Sequence, residues 1–151
     1  MINIIIREFD ERDAEAVSRL IRNNLTFVNN RDYGPSVIDY MYRLFTPDYL
    51  REISVIRMMF VAEENGKVVG TVGLEGDKVC ALYVEPNVHG QRVGKRLLQH
   101  IEDFALESHV HILHLSASLT AVGFYEKMGY RSQDKEESEL FGPAYIMTKL
   151  L

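Results

Sequence analysis

The chain has one cysteine, no tryptophan, four prolines and no apolar run longer than a few residues. Each scarcity excludes something. A lone cysteine, Cys80, forms no intramolecular disulfide, which fits a reducing compartment and leads us to expect the cytoplasm. Runs such as Ile4-Ile5-Ile6 fall far short of the ~20 apolar residues a membrane helix needs, so no membrane partner is expected. The opening Met1-Ile2-Asn3 carries no basic segment and Arg7-Glu8 interrupts the apolar stretch, so no secretory leader is expected. Basic residues are outnumbered, 17 against 22 acidic, for a formal net charge of -5. That argues against a nucleic-acid partner held by bulk charge. No Pro-rich or Gly/Ser-rich linker divides the 151 residues, 46% of which are hydrophobic, so we read 1–151 as one folded domain.

What is present has an α/β grammar. A strand is expected over Ile2–Arg7, then a helix introduced by Asp10 as N-cap with Asp13 as its capping-box partner. Val17, Leu20, Ile21 and Leu25 recur at helical spacing. Two short helices are expected around Val37–Phe45 and Pro47–Ile53. Strands follow over Arg57–Glu64, Lys67–Glu75 and Lys78–Glu85, joined by Asn65-Gly66 and Gly76-Asp77 turns. A helix is expected over Arg92–Glu107, a strand over Val110–Ala117, a helix over Leu119–Met128 stopped by Gly129, and a strand starting at Tyr130. Asp134–Glu139 reads as an acidic turn before a last strand, Leu140–Leu150. The order implies a mixed central sheet flanked by helices.

The stretch Val84–Leu98 carries the chemistry: a strand ends at Pro86, a polar loop with Gly90 follows, and a helix starts near Gly94. Amides at a helix N-terminus form an anion site. Arg92, Lys95 and Arg96 crowd its first turns while Glu102, Asp103 and Glu107 sit toward its end. That is the reverse of what the helix dipole prefers, unless a polyanion binds there. A P-loop is excluded, because Gly90 and Gly94 enclose three residues and Arg96 stands where a metal-binding hydroxyl belongs. A Rossmann fingerprint is absent.

The segment His89-Gly90-Gln91-Arg92-Val93-Gly94 after Val84-Glu85-Pro86 resembles the acetyl-CoA loop of the GNAT acetyltransferase superfamily. That pattern is [QR]-x-x-G-x-[GA] after V-x-P. His89 and Arg92 depart from it. One helix and one strand later, Ala117–Tyr130 resembles the family's N-x-x-A-x-x-F-Y-x-x-x-G-[FY] block, with Ser118 in place of asparagine.

The resemblance implies a GNAT fold, acetyl-CoA as co-substrate and acetyl transfer to an amine. It places His89, Gly90, Gln91, Arg92, Val93, Gly94 and Lys95 at the phosphates and Leu82, Tyr83 and Val84 along the pantetheine arm. Tyr125 would give a proton to the departing thiolate, and Glu75 is the candidate base. Ser118 is an expected cofactor contact and the expected cap of the helix that carries Tyr125, and Gly123 the expected point of close approach by ligand or backbone. The region between the first helix and the third strand sets acceptor choice in this superfamily, here Phe27, Asn29, Asn30, Asp32, Tyr33, Tyr40 and Tyr42; Phe27, Asn30 and Tyr33 are the candidate contacts, and Asp32 a candidate partner for an ammonium. Cys80 reads as core packing. His109 and His111 would share a strand face near His114, but nothing completes a ligand set, so no metal is expected. The acceptor is expected to be a small-molecule amine, and a homodimer could pair through the last strand. An acyl-CoA-binding sensor without catalysis remains the alternative.

Overall fold

The computed structural model describes residues 3–88, 92–138 and 141–151. Strand β1 (Ile4–Glu8) leads through a short 3-10 turn into α1 (Ala14–Phe27). The capping box forms: the Asp10 carboxylate accepts from the backbone and the Asp10 N–H donates to Asp13 Oδ2 at 2.8 Å. Arg7 then grips both Asp13 oxygens at 2.8 Å and Glu63 at 2.7 Å, fastening the start of α1 to the first strands. Burial pushes the Asp13 carboxyl up, but the Arg7 hydrogen bonds, the Asp10 N–H and the Arg7 charge together hold it below its ordinary value.

Helices α2 (Pro35–Leu44) and α3 (Pro47–Ile53) each begin at proline, whose fixed φ suits a first helical position. Next come β2 (Met58–Glu64), β3 (Lys67–Glu75) and β4 (Lys78–Val84). The Asn65-Gly66 turn takes positive φ at both residues (52° and 81°), as a tight hairpin requires. Helix α4 (Arg92–Glu107), β5 (Ile112–Ala117), a 3-10 turn (Leu119–Ala121), α5 (Val122–Lys127), β6 (Arg131–Ser138) and β7 (Gly142–Leu150) complete the order.

The strands form one mixed sheet in the order β1-β2-β3-β4-β5-β7-β6, with β4 and β5 the parallel neighbours. Strand periodicity divides two cores. Phe60 and Ala62 face α4 and α5 together with Leu97, Leu98, Ile101 and Met147, whereas Met59 and Val61 face α1–α3 together with Leu20, Ile21, Leu25 and Leu50.

Four local expectations need correction. The acidic stretch is not a turn: Asp134–Ser138 continues β6, an edge strand exposed along almost its whole length, where charge costs little and discourages further pairing. The expected Leu119–Met128 helix is a 3-10 turn followed by the shorter α5. His109 sits at φ 63° in the turn after α4 and β5 starts only at Ile112, so His109 and His111 share no strand face. Their neighbour His114 meets Asp77 at 2.9 Å instead. The last strand starts at Gly142, and Leu140 lies outside the described residues.

Candidate active site

The site begins with a misfit in β4. Thr71 pairs with Tyr83 and Gly73 with Cys80, so Ala81 and Leu82 together face Val72 alone. This is a β-bulge, and Ala81 adopts φ 52° to make it. A left-handed alanine costs roughly 1–2 kcal/mol, and such strain concentrates at functional sites. Beyond the single pairing of Lys78 with His114, β4 and β5 part.

The gap is a cleft of about 320 Å³. Its walls are β4 from Val79 to Val84, β5 from Leu115 to Ala117, the turn residues Ser118, Thr120 and Ala121, and Tyr125 of α5. From the α1 side come Asn24, Val28, Asn29 and Tyr33. A second cleft of about 270 Å³ is lined by Met41, Phe45, Tyr49, Arg57, Glu136 and Phe141 among others. The two clefts share Tyr33, Val79, Cys80, Ala81, Tyr83 and Ser116, so the bulge stands at their junction.

Of the residues singled out from sequence, Leu82, Tyr83, Val84, Ser118, Tyr125 and Tyr33 come together around the first cleft. Tyr125 is buried, its ring edge-on to Phe124 (5.2 Å) and Tyr130 (5.8 Å). Burial, reinforced by Tyr33, pushes its hydroxyl well above the ordinary tyrosine value. Tyr33 is raised by burial and by Asp32, against a hydrogen bond with Ser118 that lowers it.

Other residues are placed elsewhere. Glu75 lines neither cleft; its half-exposed carboxylate meets Arg57 at 3.2 Å. Phe27 is 66% exposed, and Asn30 is exposed; neither lines a cleft, because both lie on the outward side of the turn after α1. Arg92 and Lys95 are exposed at the start of α4, Val93 is in the core, and Arg96 turns away to donate to the Ile4 carbonyl at 2.8 Å. Gly94 is packed, since a Cβ there would meet Phe124 at 3.4 Å. His89, Gly90 and Gln91 lie outside the described residues.

Four expectations change. Ser118 makes no capping bond, and it lines the first cleft together with Tyr33, whose hydroxyl it pulls down. Asp32 does not wait for an ammonium, because it accepts two hydrogen bonds from Thr120. A Cβ on Gly123 would meet nothing beyond its own helix within 4 Å, so no backbone approach requires a glycine there. Cys80 is half-buried at the junction of the clefts rather than in the core, and burial pushes its thiol up.

Sequence reasoning missed Asn24, whose Nδ2 donates to the Leu20 carbonyl (3.0 Å) and the Val84 carbonyl (2.8 Å), tying α1 to the end of β4. A polar residue on the apolar face marked by Leu20, Ile21 and Leu25 was the available signal. Among the described residues, no group of three or more His, Cys, Asp or Glu is placed to hold a metal ion, and no helix is long and apolar enough to cross a membrane.

Known proteins share this architecture. The peptidyl-lysine N-acetyltransferase YjaB of Escherichia coli is 30% identical over 110 residues, 72% of this chain and 74% of that protein. Its Salmonella typhimurium namesake is 34% identical over 85 residues, 55% of this chain and 56% of that protein, so the match spans little more than half of the latter's length. A GCN5-related N-acetyltransferase from Rhodopseudomonas palustris superposes with a TM-score of 0.92 over 100% of this chain and 98% of its own, at 22% identity. The PaiA N-acetyltransferase of Thermoplasma acidophilum, solved in complex with coenzyme A, gives 0.84 over 99% of both chains at 19% identity. At such identities the superpositions show the fold alone. The family model described as an acetyltransferase (GNAT) domain matches residues 32–151, and on that match the chain belongs to the GNAT acetyltransferase family.

Proposed function

We propose that the protein is an acetyl-CoA-dependent N-acetyltransferase in which an acceptor amine attacks the thioester directly in a ternary complex. The observation that carries this reading is the meeting of the two clefts at the Ala81 bulge. A donor held in one and an amine held in the other would share a single wall.

The residues present fit acetyl-CoA. Backbone groups of Leu82, Tyr83 and Val84, freed from pairing with β5 where the strands part, would take the arm's amides. Arg92, Gly94 and Lys95, with His89, Gly90 and Gln91, would hold the phosphates at the start of α4. The bound co-substrate supplies a thioester whose thiolate can leave. Tyr125, which lines the first cleft, keeps its proton through the physiological range at Oη. A thiolate departing into the same cleft is penalised by the same burial, which keeps donor and acceptor comparable.

No Asp, Glu or His lines the first cleft among the described residues. The second cleft, where the amine would sit, is lined by Glu136, so the acceptor enters uncharged or loses its proton to Glu136 or to water. Glu75 could act as base only through water and only by opening its pair with Arg57.

The second cleft, small and walled by Phe45, Tyr49 and Phe141, suits an amine on a slender chain, and we read the acceptor as a small-molecule amine. A protein lysine is the second reading, favoured by what the two curated relatives are named for. Thiol release from acetyl-CoA over a panel of free amines and lysine peptides tests both. Turnover with free amines supports the first reading; turnover with peptides alone replaces it by the second. Binding of acetyl-CoA without turnover on either would leave a sensor.

A further inference from the structure

One buried polar atom, on a residue that lines the first cleft, has no partner in the protein itself. Asn29 Oδ1 is buried with no hydrogen-bond partner, and it is the one buried side-chain atom so placed among the described residues. Asn29 lines the first cleft, beside Tyr83, Val84 and Ser118, and not the second. A buried acceptor left unpaired costs free energy, and native proteins seldom keep one without a reason.

The Asn29 carbonyl already accepts from the Asp32 N–H (3.0 Å) and the Tyr33 N–H (3.2 Å), which closes the turn on itself. Asp32 in turn is tied to Thr120 across the cleft mouth, at 3.1 and 2.7 Å. The turn that carries the orphan oxygen is thus pinned from within and by Thr120 before any ligand arrives.

An acceptor held in this way needs an N–H donor. The strand residues around it are the ones expected to pair with an acyl carrier's arm, whose amides carry N–H groups. Resting on the acetyl-CoA reading above, we propose that Asn29 is a binding residue for that arm, its Oδ1 accepting from an amide N–H. The site is set by the turn after α1, apart from the phosphate loop, so it would select for the arm rather than for the nucleotide end.

Calorimetric titration of the full chain with CoA, and with adenosine 3′,5′-bisphosphate, which lacks the arm, separates the two ends. For Asn29→Leu we expect CoA to bind about tenfold more weakly and the bisphosphate to bind unchanged. Asn29→Asp keeps an acceptor oxygen and should recover part of the loss. The melting temperature of unliganded Asn29→Leu should hold or rise, because a costly buried group has gone; this separates loss of a ligand contact from loss of fold. Equal binding of CoA by wild type and Asn29→Leu would overturn the proposal, as would a matching loss for the bisphosphate or a change confined to the KM of the amine. A wild type that bound no CoA would overturn the cofactor reading itself, and this inference with it.

Discussion

Thr120 donates to Asp32 twice, from its backbone N–H to Oδ1 at 3.1 Å and from its hydroxyl to Oδ2 at 2.7 Å, across 88 residues of sequence. Asp32 thereby caps the 3-10 turn before α5 in the place left by Ser118, which makes no capping bond. The contact joins the turn that carries Tyr33 to the segment that carries Tyr125.

Asp32→Ala should therefore cost about 1–3 kcal/mol, since it removes a buried pair of bonds and leaves the turn uncapped. Asp32→Asn retains one acceptor oxygen and should cost less. Calorimetric melting checks the order. An alanine variant as stable as wild type would show the latch to be incidental.

Tyr125→Phe should lower kcat by about 100-fold, within the ordinary range for losing a positioned proton donor. The ring contacts with Phe124 and Tyr130 remain, so CoA affinity should not change. Steady-state rates beside calorimetric CoA binding separate the two effects. Full turnover in the variant would move the proton source elsewhere.

The pH profile follows from the same cleft. With Glu136 the one carboxylate and no histidine lining either cleft among the described residues, kcat/KM should rise with pH along the amine's own titration. A raised tyrosine keeps its proton to higher pH, so Tyr125 remains a donor throughout that rise. No descending limb should appear below about pH 10, the ordinary tyrosine value. Glu75→Gln should leave kcat within about twofold, the allowance for an exposed group outside the chemistry; a much larger fall would restore it as the base.

Much of the scaffold was legible. Helix α4 begins and ends where its apolar spacing said, and Lys67–Glu75 is a strand to the residue, because long amphipathic segments and Asn-Gly turns carry their signals locally. The bulge was not. Val79-Cys80-Ala81-Leu82 reads as an unbroken apolar strand, and alanine gives no notice of φ 52°, which arises from β4 pairing with β3 while parting from β5. The charges of Asp134–Ser138 suggested a turn because sequence cannot tell an exposed edge strand from a loop. Near the cleft the error was one of phase. Asn29 and Asn30 are adjacent, and only the turn's orientation, set partly by Thr120, decides which faces inward.

Ala81→Val tests the bulge directly. A β-branched side chain is poorly tolerated at positive φ, so the variant should lose about 2 kcal/mol or more. If β4 straightened to relieve the strain, CoA binding would fall with it. A variant that kept both stability and CoA affinity would show that the left-handed residue is not what opens the cleft.

The central claim is that the two joined clefts transfer an acetyl group from acetyl-CoA to an amine. Mass spectrometry of an amine panel incubated with acetyl-CoA and the intact chain tests it most directly. The account predicts acetylated amine appearing in step with free CoA, and dependent on Tyr125. Tight CoA binding with no acetylated product from any free amine or lysine peptide would contradict it.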